Sequence, residues 1–467
     1  MNLRLYHALP PILRPVAATV QGAYLRWWRY GRETERLVEE ALEREKWSPE
    51  KWAAWQQDRL GYVLDRAATR VPYYRELWTQ RRRSGDSSSW ERIENWPILE
   101  KRVLRENPRA FVADDCDPRH MFAEHTSGTT GTPLSLWASR AVLHNWYALF
   151  EARCRRWYGV TRHDRWAILG GRLVTPCRQR KPPFWVWNKA LNQLYMSSYH
   201  LAPDLIASYF RAIEDYQVRY LYGYPSAFLA LAVSARETGW KPPSLRVVIT
   251  NAEPLYDYQR RQMEDGFQTK VRETYGMSEM VAAAGECESG HVHWWPDVGF
   301  TEIKGQEGDA AEDGELICTG LLNTDMPLIR YRVGDRVRCC RTSAKCECGR
   351  TLPLAGAVEG RSDDVIYTVD GRAIGRLDPV FKADLQVEEV QIVQEARQKL
   401  VVWYVPARGF DASTTTALRE RLRERVGAMQ IDLRKTDTIP RGPNGKFRAV
   451  ICNLAPEERG KFVATTK

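Results

Sequence analysis

Residues 123–137, AEHTSGTTGTPLSLW, string Ser127, Gly128, Thr129, Thr130, Gly131 and Thr132 together and stop them at Pro133. Apolar or aromatic residues stand on both sides: Met121 and Phe122 before, Leu134, Leu136 and Trp137 after. Hydroxyls and glycines between two strand-like segments predict a tight loop. A hairpin turn needs Gly, but it does not need an unbroken run of hydroxyl and Gly positions. The run suits an anion cradle, in which glycines let the backbone approach a phosphate while N–H groups and hydroxyls donate to its oxygens. No Gly-Lys-Ser/Thr follows at the spacing of the common nucleotide loop. Alone, the stretch points to phosphate binding without saying of which kind.

Working outward, the chain has 467 residues, 18 of them Trp, enough for two or three domains with ample core. Ten cysteines are too few for a disulfide scaffold in so long a chain, and their clustering near 339–348 points to metal chemistry in a reducing compartment. The formal charge of +10 is compatible with acidic ligands such as nucleotides or coenzyme A, with solubility, or with weak attraction to an anionic membrane. No aromatic-basic nucleic-acid module is visible, so no nucleic-acid partner is expected. No segment is long and apolar enough to span a bilayer. The first 28 residues interrupt their apolar positions with Arg4, Arg14, Arg26, Pro10, Pro11 and Pro15, unlike a signal peptide. Their stripe is expected to pack on the protein's own body, with lipid contact the alternative.

Upstream of about residue 100 the pattern is a helical lead-in: a charged helix over 32–46 carries Leu37, Val38 and Leu42, and helix continues over 50–83 with a break at Pro72. From about 120, short apolar runs (165–171, 218–227, 245–255) alternate with helical stretches such as 203–215 and 226–238. That alternation predicts α/β layers with a mixed or parallel sheet, and ligands at the loops that follow the strands. A β-rich texture starts near 298. The polar, turn-rich segment 359–374 reads as a hinge. Beyond it lies a compact unit with strands at 387–394, 399–405 and about 431–438, and a helix near 412–426 that sets Leu418, Leu422 and Val426 at four-residue spacing.

Five further motifs bear on the first loop: NAEPL (251–255), ETYGMSEM (273–280), PLIRYRVGDRV (327–337), EGRSDD (359–364) and PRGPNGKF (440–447). Taken singly, each also fits a plain turn: Gly276 and Gly334 as turn glycines, Asp335 as a cap, Lys446 as a solvated hairpin lysine. Taken in order, over nearly the whole chain, they resemble the adenylate-forming superfamily of acyl- and aryl-CoA ligases. Within it the chain resembles the phenylacetate–CoA ligase family, and the lead-in and the stretch DPVFKADL (378–385) look most like the branch found beside capsular and exopolysaccharide genes.

The resemblance implies a large multilayer α/β N-terminal domain (1–360, with the 1–100 lead-in) and a small mobile α+β domain (361–467). It makes Ser127, Gly128, Thr129, Thr130 and Gly131 the holders of the ATP β- and γ-phosphates. Ala252, Glu253 and Pro254 would line the adenine pocket, and Tyr275, followed by Gly276, would stack on the base. Glu279 would hold Mg2+, with Ser278 near the α-phosphate. Asp335 would accept from the ribose hydroxyls, Arg361 would sit near the nucleotide and Asp363 would be the pivot. Lys446 would bridge carboxylate and α-phosphate. Many members carry Lys where this chain has Thr132, so a weaker grip on pyrophosphate, or an Arg in its place, is expected.

The implied activity is activation of a carboxylic acid to acyl-AMP, followed by transfer to coenzyme A. Two other outcomes stand beside it: transfer to an amine, a sugar or a carrier-protein thiol, and a non-catalytic nucleotide-binding scaffold. Trp146, Tyr147 and Phe150, and above all Tyr222, Gly223, Tyr224 and Pro225, are the candidates for the acid pocket. For the metal, Cys346-x-Cys348-Gly349 forms a knuckle, and Cys287 with His293 from a second loop completes a tetrahedral, structural Zn2+ set. His293 aligns better with the family than His291 does. Cys339 and Cys340 are rival ligands whose strand-like context favours burial, and free thiols are the alternative to zinc. The expected place is the cytoplasm, or the periphery of the inner membrane face, with a homodimer left open.

Overall fold

A computed structural model describes residues 3–125, 134–305, 313–338, 346–369, 373–374, 385–455 and 458, except 173, 177, 178, 180, 202, 203, 243, 357, 362–365, 408 and 441–447. The lead-in is helical: α1 (Leu3–Ala8), α2 (Arg14–Arg29), α3 (Thr34–Arg44), α4 (Pro49–Arg70), α5 (Pro72–Arg83) and, further on, α6 (Lys101–Glu106). The break at Pro72 follows from sterics. A proline pushes the preceding residue out of the helical region, so Val71 is extended and Pro72 opens α5 at its first position. Ser48 starts α4 by accepting from Lys51 N. Val63, Leu64, Tyr74 and Trp78 of α4 and α5 share one core with Leu316, Cys318 and Tyr331, so the lead-in is built into the body.

β1 (Phe122–His125) and β2 (Ser135–Ala138) pair antiparallel, with His125 opposite Ser135. The run from Ser127 to Pro133 lies outside the described residues. After α7 (Arg140–Cys154) come β3 (Trp166–Gly170), β4 (Trp185–Asn188), β5 (Gln193–Ser197), α8 (Ile206–Asp215), β6 (Tyr220–Gly223), α9 (Pro225–Thr238), β7 (Val247–Thr250), α10 (Asp257–Phe267), β8 (Lys270–Gly276), β9 (Ala283–Glu286) and β10 (Val292–Trp294). Among the described residues these strands form one sheet in the order β10-β9-β8-β7-β6-β3-β5-β4. The pairs β5–β3, β3–β6, β6–β7 and β7–β8 are parallel, and β4, β9 and β10 pair antiparallel at the two edges. Tyr209, Phe228 and Met263 of α8, α9 and α10 pack with Leu221, Val248 and Val271, covering one face of the sheet.

β11 (Gly299–Lys304), β12 (Asp313–Gly320), β13 (Tyr331–Arg338) and β14 (Val358–Arg361) make an antiparallel sheet, followed by the short pair β15 (Ile366–Tyr367) and β16 (Ala373–Ile374). The last unit comprises β17 (Val387–Ala396), β18 (Lys399–Pro406), α11 (Ala412–Val426), β19 (Gln430–Lys435) and β20 (Val450–Cys452), with strand order β19-β18-β17-β20. Leu418, Leu422 and Val426 of α11 bury on Ile392, Leu400 and Val402, which gives this unit a core of its own.

The N-terminal stripe divides in two. Gly22, Leu25 and Trp28 of α2 are buried, with α2 packed on β4. Val16, Val20, Tyr24 and Trp27 on its other face are exposed. Packing on the body, as expected from the sequence, therefore accounts for only one face of this helix.

Candidate active site

The parallel strands β3, β6, β7 and β8 end at Gly170, Gly223, Thr250 and Gly276, and the segments just past β7 and β8 carry Ala252–Pro254 and Ser278–Glu279. Carboxyl ends of parallel strands are where open α/β sheets bind ligands, because the loops there diverge and leave a crevice. Gly223 has φ 153°, and a Cβ at that position would stand 2.1 Å from Leu169 O. Only glycine lets the two strand ends approach this closely. Ala252 takes φ 64°, a conformation that side chains rarely adopt and that is stored where the surroundings over-determine it.

Around Ala252 the neighbours are specific. Glu253 accepts from Ser226 N at 3.0 Å and from its hydroxyl at 3.1 Å, so its carboxylate anchors the loop on the first turn of α9. Asn251 donates through Nδ2 to the Tyr222 hydroxyl at 2.9 Å, while its Oδ1 is buried without a partner among the described residues. That orphan acceptor beside the Ala252–Pro254 segment is open to a ligand N–H.

On β8, the Tyr275 hydroxyl donates to Asp335 Oδ2 at 2.6 Å. Asp335, 9 % exposed, lies opposite Arg361 in the β13–β14 register. Glu279 accepts from the Tyr331 hydroxyl at 3.0 Å and faces Lys101 Nζ at 3.6 Å. The Ser278 hydroxyl donates to Glu124 Oε1 at 3.3 Å. Glu124 belongs to β1, the strand that leads into the Ser127 loop. Burial pushes its carboxyl up, and the Arg29 and Arg172 guanidinium groups oppose the rise. The fold thus gathers Tyr275, Ser278, Glu279 and Asp335 into one polar group, with Arg361 beside it by strand register. Ser127–Gly131, Thr132, Asp363 and Lys446 lie outside the described residues.

Three partners of this group were not singled out from the sequence: Glu124, Lys101 and Tyr331. Lys101 is 178 residues from Glu279 in the chain. No local pattern marks such a pair, because only packing of α6 beside β13 joins them. On the acid side, Tyr222 meets Phe150 edge-on with centroids 5.4 Å apart. The Trp146 ring lies 3.7 Å from where a Gly276 Cβ would be. Trp146 and Phe150, four apart on α7, therefore face the ends of β8 and β6. Tyr224 instead packs in the core with Phe228 and Leu255.

Behind β8, the β9–β10 hairpin brings Cys287 and His293 to Cys346 and Cys348, and their four ligand atoms lie within 4.8 Å of one another. Cys287 Sγ and Cys346 Sγ are 3.6 Å apart, and Cys348 Sγ and His293 Nε2 are 3.5 Å apart. Tetrahedral zinc with Zn–S of about 2.3 Å and Zn–N of about 2.0 Å needs ligand–ligand edges of about 3.5–3.8 Å, so the spacing fits the ion. His293 is fully buried and its Nδ1 meets Leu352 O at 2.9 Å, which leaves Nε2 toward the thiols. His291 is exposed, with Nδ1 3.5 Å from Cys346 Sγ. Gly349, at φ 77°, turns the chain past the knuckle.

A family model described as AMP-binding enzyme matches residues 53–301, and one described as CapK C-terminal domain matches residues 366–453. Protein CapK of Staphylococcus aureus is 25% identical over 396 residues, covering 82% of this chain and 85% of that protein. Phenylacetate-coenzyme A ligase of Thermus thermophilus is 26% identical over 454 residues, covering 86% and 96%. Among solved structures, 2-hydroxyisobutyryl-CoA ligase in the postadenylation state, in complex with 2-HIB-AMP, aligns with TM-score 0.66 and 21% identity over 89% of this chain and 92% of that one. That likeness establishes the shared fold.

Proposed function

This chain belongs to the AMP-binding enzyme family, and on that premise we propose that it joins a carboxylic acid to AMP and then hands the acyl group to coenzyme A. The observation that carries the reading is the convergence of Tyr275, Asp335, Ser278 and Glu279 beyond the carboxyl ends of the parallel strands. A carboxylate is a poor nucleophile toward a polyanionic triphosphate. Charge must be neutralised where it grows, at the α-phosphorus, by groups already in place. Ala252–Pro254, with the Asn251 Oδ1 acceptor, would receive the adenine, and Tyr275 would stack on it. Asp335 would accept from the ribose. Glu279, held by Tyr331, would take Mg2+, which supplies charge neutralisation on the phosphates. Ser127–Gly131 would grip the leaving pyrophosphate, and Lys446 would bridge the acid and the α-phosphate. In the first step the acid oxygen bonds to the α-phosphorus and pyrophosphate leaves. In the second the thiol sulfur bonds to the acyl carbon, AMP leaves and the thiol proton goes to solvent.

The donor set Cys287, His293, Cys346 and Cys348 would hold a structural zinc. All four positions are filled by protein, so the ion would pin the 346–354 segment to the hairpin next to β8 rather than touch substrate. ATP–pyrophosphate exchange, screened over aryl, fatty and amino acids, tests the first step. Absence of exchange with any acid by folded protein would sink the reading. A second reading concerns the acceptor alone. In a chain whose C-terminal unit matches the CapK C-terminal domain, an amine, a sugar or a carrier-protein thiol would take the place of coenzyme A. Product analysis with each acceptor decides between them.

A further inference from the structure

The surface that the N-terminal helix turns away from the protein is apolar, and among the described residues only the Arg140 guanidinium, 4.3 Å over the Trp27 ring, lies against it. The inner face of α2 is fully used. Gly22 lies against Asn188, the Thr19 hydroxyl accepts from Lys189 N at 3.1 Å, and Leu25 and Trp28 are buried. A helix so seated ordinarily shows charge to solvent on its other side. Here that side carries Val16, Val20, Tyr24 and Trp27 at i, i+4, i+8 and i+11, each at least half exposed. The stripe continues into Leu5 and Ile12, which are 70% and 82% exposed. Of nine large hydrophobic residues exposed among the described residues, seven fall between 5 and 27. Scattered apolar residues need no explanation, but a contiguous stripe marks a contact surface.

Charge identifies the partner. Residues 1–32 contain five Arg and no acid, and residues 165–203, which supply β4 and the turn on which α2 lies, contain six Lys or Arg and no acid. These two segments hold eleven cations, so the chain's whole excess of +10 resides there and the remainder is close to neutral. Arg26, Arg172, Lys181 and Lys189 are exposed. An apolar stripe edged with Trp and Tyr, on segments rich in cations and without acids, matches the chemistry of an anionic lipid surface, where basic groups meet headgroups and the apolar face enters the acyl boundary. The 16 residues of α2 extend about 24 Å, and no described helix is apolar enough to cross a bilayer, so the helix would lie flat.

We propose that the outer face of α2, together with Leu5 and Ile12, docks the protein on an anionic bilayer surface. The same helix ends on the candidate site. The Trp28 ring meets Phe122 of β1 at 5.5 Å, and the Arg29 guanidinium stands 4.6 Å over the Tyr147 ring beside the acid side. Docking therefore sets that side next to the lipid–water interface, where an acid or acceptor carried on a lipid would be presented.

Co-sedimentation of the full chain with vesicles tests this. The protein is expected to pellet with phosphatidylcholine–phosphatidylglycerol vesicles, to stay in solution with phosphatidylcholine alone, and to be partly released by salt. Val16→Asp with Val20→Asp should lower partitioning at least ~10-fold, because two charges would enter the acyl boundary, while leaving the thermal melt unchanged. If that variant fails to fold, Val16→Ser with Val20→Ser replaces it and should weaken binding in the same direction. Absence of wild-type binding to the anionic vesicles overturns the proposal, as does equal binding by a folded variant. A dimer that the substitutions dissociate, in protein that ignores vesicles, would assign the face to a second copy and overturn it too.

Discussion

At the scale of single residues, Asp335 and Tyr275 make the sharpest case. A hydrogen bond of 2.6 Å ties the phenol to one carboxylate oxygen, and a carboxylate has enough lone pairs to accept from a ribose hydroxyl as well. Asp335→Ala should therefore weaken ATP binding by about 1.5–3 kcal/mol, the range for losing a bond to a charged acceptor. Isothermal titration reads this directly, and unchanged affinity would remove Asp335 from the site. Both residues were legible in the sequence because each sits in a short motif. Glu124 and Lys101 were not, since neither sits in a motif that points to its partner. Glu124 reaches Ser278 only because β1 returns beside the segment after β8.

Elements are joined by a buried ionic cluster and by the thiol–imidazole set. Arg153 of α7, fully buried, binds Asp297 through two bonds of 2.7 and 2.9 Å and Glu45, just past α3, at 3.2 Å. Burial alone would raise the Asp297 carboxyl. The Arg153 and Arg44 guanidinium groups, with a backbone hydrogen bond, together outweigh burial and hold it below its ordinary value. A depressed folded-state pKa contributes stability above the unfolded value, and that contribution is lost as pH falls through the folded one. Arg153→Met should cost about 1.5–3 kcal/mol at neutral pH, because Asp297 would keep only Arg44 among its cations and Glu45 only Arg350. The deficit should shrink in acid, where the wild type loses its ion pair and the variant's carboxyls are protonated. Urea unfolding at neutral and acid pH measures both. For the metal set, protein purified without added metal should hold about one zinc per chain, and chelation should lower the unfolding midpoint. Cys346→Ser should reduce thermal stability more than the turnover of surviving folded protein. Metal analysis showing less than about a tenth of an equivalent would favour free thiols.

Across the whole molecule, the question is whether the unit beyond Ile366 moves between two working poses. It has its own core, and a unit with its own core can shift as a body on a short connection. Lys446 is proposed to act only when that unit swings toward the nucleotide. Lys446→Ala should therefore cut adenylation roughly 100- to 1000-fold, as for loss of one preorganised donor. Transfer from preformed acyl-AMP to the acceptor should survive. Single-turnover assays of each half-reaction separate the two, and values within a few-fold of wild type in both would make Lys446 a solvated surface lysine.

By itself the sequence determined the order of the motifs, the strand–helix alternation and the candidate Cys and His residues of the 287–293 and 346–348 segments, because period, turn chemistry and residue type are local properties. Leu418, Leu422 and Val426 face the core of the last unit as their spacing required. Tertiary structure decided what depends on contacts between distant segments. It buried His293 and left His291 outside, through the contact of His293 with Leu352 O. It moved Tyr224 into the core while Tyr222 remained beside Phe150. It also chose which apolar face of α2 turns inward. A period of 3.6 residues shows that such faces exist, but only the fit of Gly22 against Asn188 on β4 selects the one that packs, leaving Val16, Val20, Tyr24 and Trp27 outward.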